Sequence, residues 1–303
     1  MSNPDFPLPW GYLWQYKFIE WVQSFHSANL DRVAGSLTSL GIESFYILAL
    51  PILFWSVHKR IGLRITYIFL TGMFMNAWLK NVFHIVRPIG VPGIQSGYLW
   101  SATSYSMPSS HAQGPMMFWT MVAKWVQRKW VYVFGIVLVA LIGLSRVYLG
   151  LHWPMDVIVG WAIGLVVGLV GWQLGKWWTY RNYAFQVRLF AAIAVPVTLA
   201  ILHTSAQAHQ FAAYLFGIGV GAVVEGQWLN TELDALVWKR ICAALIGIGG
   251  VIALQYAVKW PSEANGWPIV RNICIGLWAT LFAPSVFLQC GLYRRGERDD
   301  IAT

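Results

Sequence analysis

The chain has 303 residues, 57% of them hydrophobic and only 11% charged, with 19 Trp and a formal charge of +9. A soluble domain averages roughly 45–50% apolar and 25% charged residues, so this composition points to a membrane protein. The Lys and Arg residues fall in short clusters between apolar runs with no continuous basic stripe, which excludes nucleic acid as the expected partner and leaves topology or anionic head groups to explain the charge.

Asp5 and three prolines occupy the first ten residues in place of a basic region and apolar run, so no cleavable signal peptide is expected. Trp10, Trp14, Phe18, Trp21 and Phe25 then recur at helical spacing opposite Gln15, Glu20 and Gln23. The pattern predicts an amphipathic helix lying in the membrane interface, with Ile19 as its one exception.

Apolar stretches near the ~20 residues needed to cross a bilayer follow at about 40–57, 62–86, 111–127, 129–149, 154–175, 187–204, 208–224, 240–258 and 268–289. With Lys59, Arg60 and Arg64 placed in the cytoplasm, the clusters Lys124/Arg128/Lys129, Lys176/Arg181/Arg188, Lys239/Arg240 and Arg294/Arg295/Arg298 also fall inside. That puts 14 of the 21 basic residues on the cytoplasmic side. The positive-inside rule then sets the N-terminus outside and the C-terminus inside. Cys242, Cys274 and Cys290 lie in apolar stretches without metal-ligand spacing and are expected to be buried packing residues.

Ionisable groups close to membrane depth are costly and are read first as functional. At the outer end of the second span, Lys80 and Arg87 lie seven residues apart, with His84 between them on one helical face and Pro88 ending the helix. Two cations with no acid nearby in sequence suit a tetrahedral anion, although the pair alone equally fits snorkelling anchors. Pro108, Ser109, Ser110 and His111 open the third span from the same side, where a helix N-terminus offers free N–H groups; alone, this fits an ordinary Ser cap. Ser145, Arg146, His152 and Asp156 span the end of the fourth helix and the start of the fifth. The four-residue spacing lets Asp156 hold one imidazole nitrogen and leave the other nucleophilic, or form a structural pair. Apart from Glu43, remote in sequence, Asp156 is the only acid in an expected span at that face. Glu225, near the inner end of the seventh span, is too far from this face for a catalytic assignment.

Together KNVFHIVRP at 80–88, PSSH at 108–111 and SRVYLGLHWPMD at 145–156 resemble the three-part signature of the type 2 phosphatidic acid phosphatase superfamily, in its integral-membrane lipid phosphatase branch. The resemblance implies that Lys80, Arg87 and Arg146 bind phosphate with Ser109 and the Ser110 backbone. It further implies that His152 attacks phosphorus, Asp156 orients His152 and His111 protonates the leaving oxygen. Ser110 departs from the family's usual Gly, which keeps the backbone N–H but adds a side chain.

The resulting expectation is an all-α polytopic bundle of about nine spans. It comprises an N-terminal amphipathic interfacial segment (1–39), a phosphatidic acid phosphatase-like catalytic membrane core (40–175) and C-terminal transmembrane helices (176–303). The expected function is a metal-independent membrane phosphatase, without a cofactor, that acts on a polyprenyl pyrophosphate, a phosphatidic acid-like lipid or a sphingoid-base phosphate through a phosphohistidine. The expected setting is a bacterial plasma membrane, with the site on the extracytoplasmic face. A two-metal hydrolase is disfavoured because the motifs offer one carboxylate. The alternatives are a phosphotransferase using the same intermediate and a non-catalytic lipid-phosphate binder or transporter, for which an oriented nucleophile would be superfluous.

Overall fold

The computed structural model describes residues 11–203, 205–256 and 266–296. The α-helices in chain order are α1 (Leu13–Gln23), α2 (Ala28–Ser39), α3 (Glu43–Ile52), α4 (Lys59–Phe83), α5 (Ser110–Val126), α6 (Lys129–Tyr148), α7 (Pro154–Arg181), α8 (Phe185–Leu202), α9 (Ala206–Trp228), α10 (Val237–Tyr256), α11 (Trp267–Leu277) and α12 (Ala283–Gln289). A π-helical turn at Leu53–Val57 continues α3, and another at Trp278–Phe282 joins α11 to α12.

Helix forms over every one of the nine expected spans, but the apolar count is lower. Among the described residues five helical segments are long and apolar enough to cross a membrane, or six if 28–39 and 43–57 act as one bent span. The others fall short for local reasons. Helix α4 carries Arg64, Thr66, Thr71 and Asn76, α5 has only 17 residues, and α9 holds His209, Gln210 and Glu225.

The chain divides into two compact units, one running to Phe45 and resuming at Met75–Trp172, the other formed by Tyr46–Phe74 and the chain from Gln173 onward. In the first unit, α1 is held by the side opposite to the expected aromatic row. Tyr16 and Ile19 enter a cluster with Ile94, Ala112, Val147, Trp153 and Val157, while Trp14, Trp21 and Phe25 stay exposed. Ile19, the exception in the sequence pattern, is fully buried. The polar row explains the inversion, because its glutamines satisfy loop backbone. Gln15 Oε1 accepts from Met155 N at 3.1 Å, and Gln23 pairs with both the N–H and the carbonyl of Gln95 at 3.0 and 2.7 Å. Trp10 lies outside the described residues.

Close approach of α5 and α7 sets the frame of the same unit. Gly160, Gly164 and Gly168 stand four residues apart on α7, and a Cβ on them would meet Ser109 O at 2.7 Å, Gln113 O at 2.6 Å and Thr120 Cβ at 3.1 Å. Small residues at this spacing let two membrane helices pack backbone to backbone. The contact brings Asp156 O against Ser109 N, at 3.0 Å. Buried Asn76 adds a tie from α4, donating to Gln113 Oε1 at 2.8 Å and Pro108 O at 3.2 Å.

In the second unit, Pro51 removes a backbone donor just before the π turn, and Trp55 within that turn is fully buried. Its indole donates to Ala279 O at 2.7 Å, and its carbonyl accepts from Tyr293 OH at 2.6 Å. Two short strands, Thr231–Leu233 and Tyr293–Arg295, pair antiparallel with Glu232 opposite Arg294. Of the three cysteines, Cys242 and Cys274 are partly buried, but Cys290 is exposed just past the end of α12, where the expected burial is not met.

Candidate active site

Lys80 and Arg87 converge without sharing a helix. Helix α4 ends at Phe83, and His84 adopts φ +49°, a left-handed conformation that turns the chain before the Arg-Pro pair can continue the helix. His84 is exposed and packs edge-on against Tyr105, with ring centroids 4.7 Å apart. The two cations instead reach the 101–106 loop from different directions. Lys80 Nζ donates to Ser104 Oγ at 3.0 Å and Tyr105 O at 2.6 Å, while Arg87 Nε donates to Ser104 O at 2.7 Å.

Ser109 stands at the N-cap of α5, yet its hydroxyl does not cap the helix. Its Oγ is buried and unpartnered among the described residues, as are both ring nitrogens of His111 in the first helical turn. The ordinary role of a Ser cap is therefore not filled here, and the first N–H groups of α5 have no side-chain acceptor from it. Ser110 is only partly buried.

His152 lies just before α7, fully buried with Asp156, and their Nδ1–Oδ2 separation is 3.3 Å. Asp156 Oδ2 also accepts from Trp153 N at 2.8 Å and from the Ser106 hydroxyl. On the other side of the ring, Arg87 Nη1 lies 2.8 Å from His152 Nε2. A guanidinium can only donate, so Nε2 accepts, and the neutral ring carries its proton on Nδ1, facing Asp156 and Ser106. Arg146 is fully buried; its Nη1 donates to Thr38 Oγ1 at 2.9 Å and Ser101 Oγ at 3.0 Å, and its Nε has no partner among the described residues.

All the candidate residues thus lie in one unit. Arg87 borders an open cleft of about 530 Å³ lined also by Asn81, Ile85, Val86, Thr103, Ser104 and Tyr105. Sequence spacing did not single out Thr38, Ser101, Ser104 or Ser106, because an isolated hydroxyl carries no pattern. For Ser106 the available signal was its place two residues before PSSH. Three buried cations, a helix N-terminus and a histidine whose Nε2 lone pair is held only by an arginine N–H are groups that can hold a tetrahedral anion and attack it.

The fold and site define a helical integral membrane protein with three buried cations and a buried histidine–aspartate pair in one unit. Residues 61–180 match the family described as PAP2 superfamily, and residues 209–295 match the PAP2 superfamily phosphatase, transmembrane extension. The chain belongs to the PAP2 superfamily. It is 27% identical to sphingosine-1-phosphate phosphatase 1 of Mus musculus, over 61% of this chain and 45% of that protein, so it spans less than half of that relative's length. It is 29% identical to an undecaprenyl-diphosphatase of Sulfolobus acidocaldarius, over 48% of this chain and 71% of that protein. It is also 29% identical to phosphatidylglycerophosphatase B of Bacillus subtilis, over 46% of this chain and 71% of that protein.

Proposed function

We propose that this chain is a lipid phosphate phosphatase that works through a phosphohistidine at the extracytoplasmic face of its membrane, with a bacterial plasma membrane as the setting. The observation that carries the reading is the state of His152: its Nδ1 faces Asp156 and Ser106, and its Nε2 carries the lone pair beside Arg87. An arriving phosphate takes the Arg87 N–H groups and presents phosphorus to Nε2. The N–P bond forms as the bond to the lipid oxygen breaks, and His111 gives that oxygen its proton. Water then attacks the phosphohistidine, its proton passes to His111, and the N–P bond breaks to release phosphate. Lys80, Arg87, Arg146, Ser109 and the Ser110 N–H offset the charge of the transferring phosphoryl group.

The substrate class rests on the three named relatives, whose names specify a sphingoid-base phosphate, a polyprenyl diphosphate and a phosphatidylglycerol phosphate. What these share is a phosphate on a long apolar tail. The apolar residues Ile85 and Val86 beside Arg87 in the cleft are in keeping with it. The outside placement rests on the distribution of basic residues, and the nine-span topology on the helices that form over all nine apolar stretches. Phosphate release by the detergent-purified full chain over these lipids and phosphatidic acid tests the function. Release is expected to persist in EDTA and to be blocked by vanadate. Loss in EDTA with recovery on adding Mg²⁺ contradicts the mechanism, and phosphate appearing on an alcohol in place of water makes the enzyme a transferase.

A further inference from the structure

We infer that Thr38, on a helix that precedes the matched family segment 61–180, is a positioning residue that fixes Arg146 for two-point binding of phosphate. The inference rests on the reading of Arg146 as a phosphate ligand. Both residues are fully buried. A guanidinium has five N–H groups in a rigid plane, and the edge formed by Nε and Nη2 presents two parallel donors to an oxyanion. At Arg146 the remaining nitrogen, Nη1, is the one held: it donates to Thr38 Oγ1 at 2.9 Å and Ser101 Oγ at 3.0 Å. Nε has no partner, and Nη2 has only a long contact of 3.5 Å to Ser101 O. The two hydroxyls therefore occupy one edge of the plane and leave the fork edge for the ligand.

The backbone around Thr38 serves the same alignment. Ser27 caps α2, its hydroxyl accepting from Leu30 N at 3.3 Å. Further along α2, Gly35 leaves room for Tyr98: a Cβ there would come within 2.1 Å of the Tyr98 hydroxyl oxygen. Gln23 on α1 holds the same loop through Gln95. Helices α1 and α2 thus fix the 95–101 loop and the arginine together, so that the segment before the family core supplies part of the phosphate site.

Direct titration of orthovanadate into the purified full chain tests this. Thr38→Val keeps the shape and removes the acceptor, and it should weaken vanadate binding about tenfold, the lower end of what a lost charge-assisted hydrogen bond gives. Thr38→Ser should recover most of that affinity, and Thr38→Val should add little once Arg146→Lys has removed Nη1. Should Thr38→Val prove poorly folded, Ser101→Ala probes the other Nη1 bond with the same expected direction. Wild-type affinity in Thr38→Val, or equal losses in Thr38→Val and Thr38→Ser, overturns the inference while Arg146→Lys remains weakened. Wild-type affinity in Arg146→Lys instead removes the phosphate-ligand reading beneath it.

Discussion

In the second unit Lys59, Glu225 and Thr231 spend their polar atoms on one another, whereas in the first His111, Ser109, Arg146 and Asp156 each keep a buried polar atom without a partner among the described residues. Lys59 Nζ meets both Glu225 oxygens at 2.7 Å and the Thr231 carbonyl at 2.6 Å, and Glu225 also accepts from Thr231 N at 2.8 Å. Burying an unpaired polar group costs free energy, so folding alone favours the closed arrangement. Under the proposed function a ligand completes the open one, a phosphate supplying the acceptors that Arg146 Nε and the Ser109 hydroxyl lack. The comparison teaches that burial and charge do not by themselves mark a site; what sets the first cluster apart is several unpartnered polar atoms gathered with a buried histidine–aspartate pair.

Replacing residues in the two clusters should separate chemistry from stability. The largest effect is expected from His152→Ala, which should abolish phosphate release from every substrate, since under the proposed mechanism His152 alone forms the covalent intermediate. His111→Ala should cost about 10²–10⁴-fold on a lipid monophosphate, yet leave measurable hydrolysis of p-nitrophenyl phosphate, whose leaving group departs without a proton. Comparing ratios of kcat/KM for the two substrates isolates the protonation from binding; equal losses on both would reverse the assigned roles. Ser106→Ala removes one donor to Asp156 Oδ2 while Trp153 N stays, and kcat should fall about tenfold with KM little changed. Lys59→Met should leave the turnover of folded protein unaltered but lower stability by about 3 kcal/mol, because Glu225 is left buried without its cation, with only the Thr231 N–H and hydroxyl as donors. A thermal melt checks this, and pairing the change with Glu225→Leu should restore most of the loss.

The three motif groups were legible because Lys, Arg, His and Asp stand out against apolar stretches, and their positions at one end of successive helices fall in one unit of the fold. The means of convergence was only partly legible. A seven-residue interval suggested one helical face for Lys80 and Arg87, but His84 breaks the helix, and loop carbonyls gather the two cations instead. For α1 the aromatic row was visible and its inward face was not. Tyr16 and Ile19 find their partners at Ile94 and Val147, far along the chain, and the glutamines that hold the helix read in sequence as solvated. Thr38, Ser101 and Ser106 were hidden for the same reason, since the significance of a hydroxyl depends on which arginine or carboxylate it meets. The apolar spans were clear where uniform, as in α6 and α8, and ambiguous in α4, α5 and α9, where polar residues or short length interrupt them.

The most direct test of the proposed chemistry is the site of covalent phosphate. Enzyme turning over a radiolabelled lipid phosphate is quenched in alkali, which preserves phosphohistidine, and the labelled peptide is mapped to the atom. The expected product carries phosphate on Nε2 of His152, the nitrogen that faces Arg87 and points away from Asp156. Phosphate on Nδ1 of that ring, or on any other side chain, would contradict the proposed orientation and nucleophile.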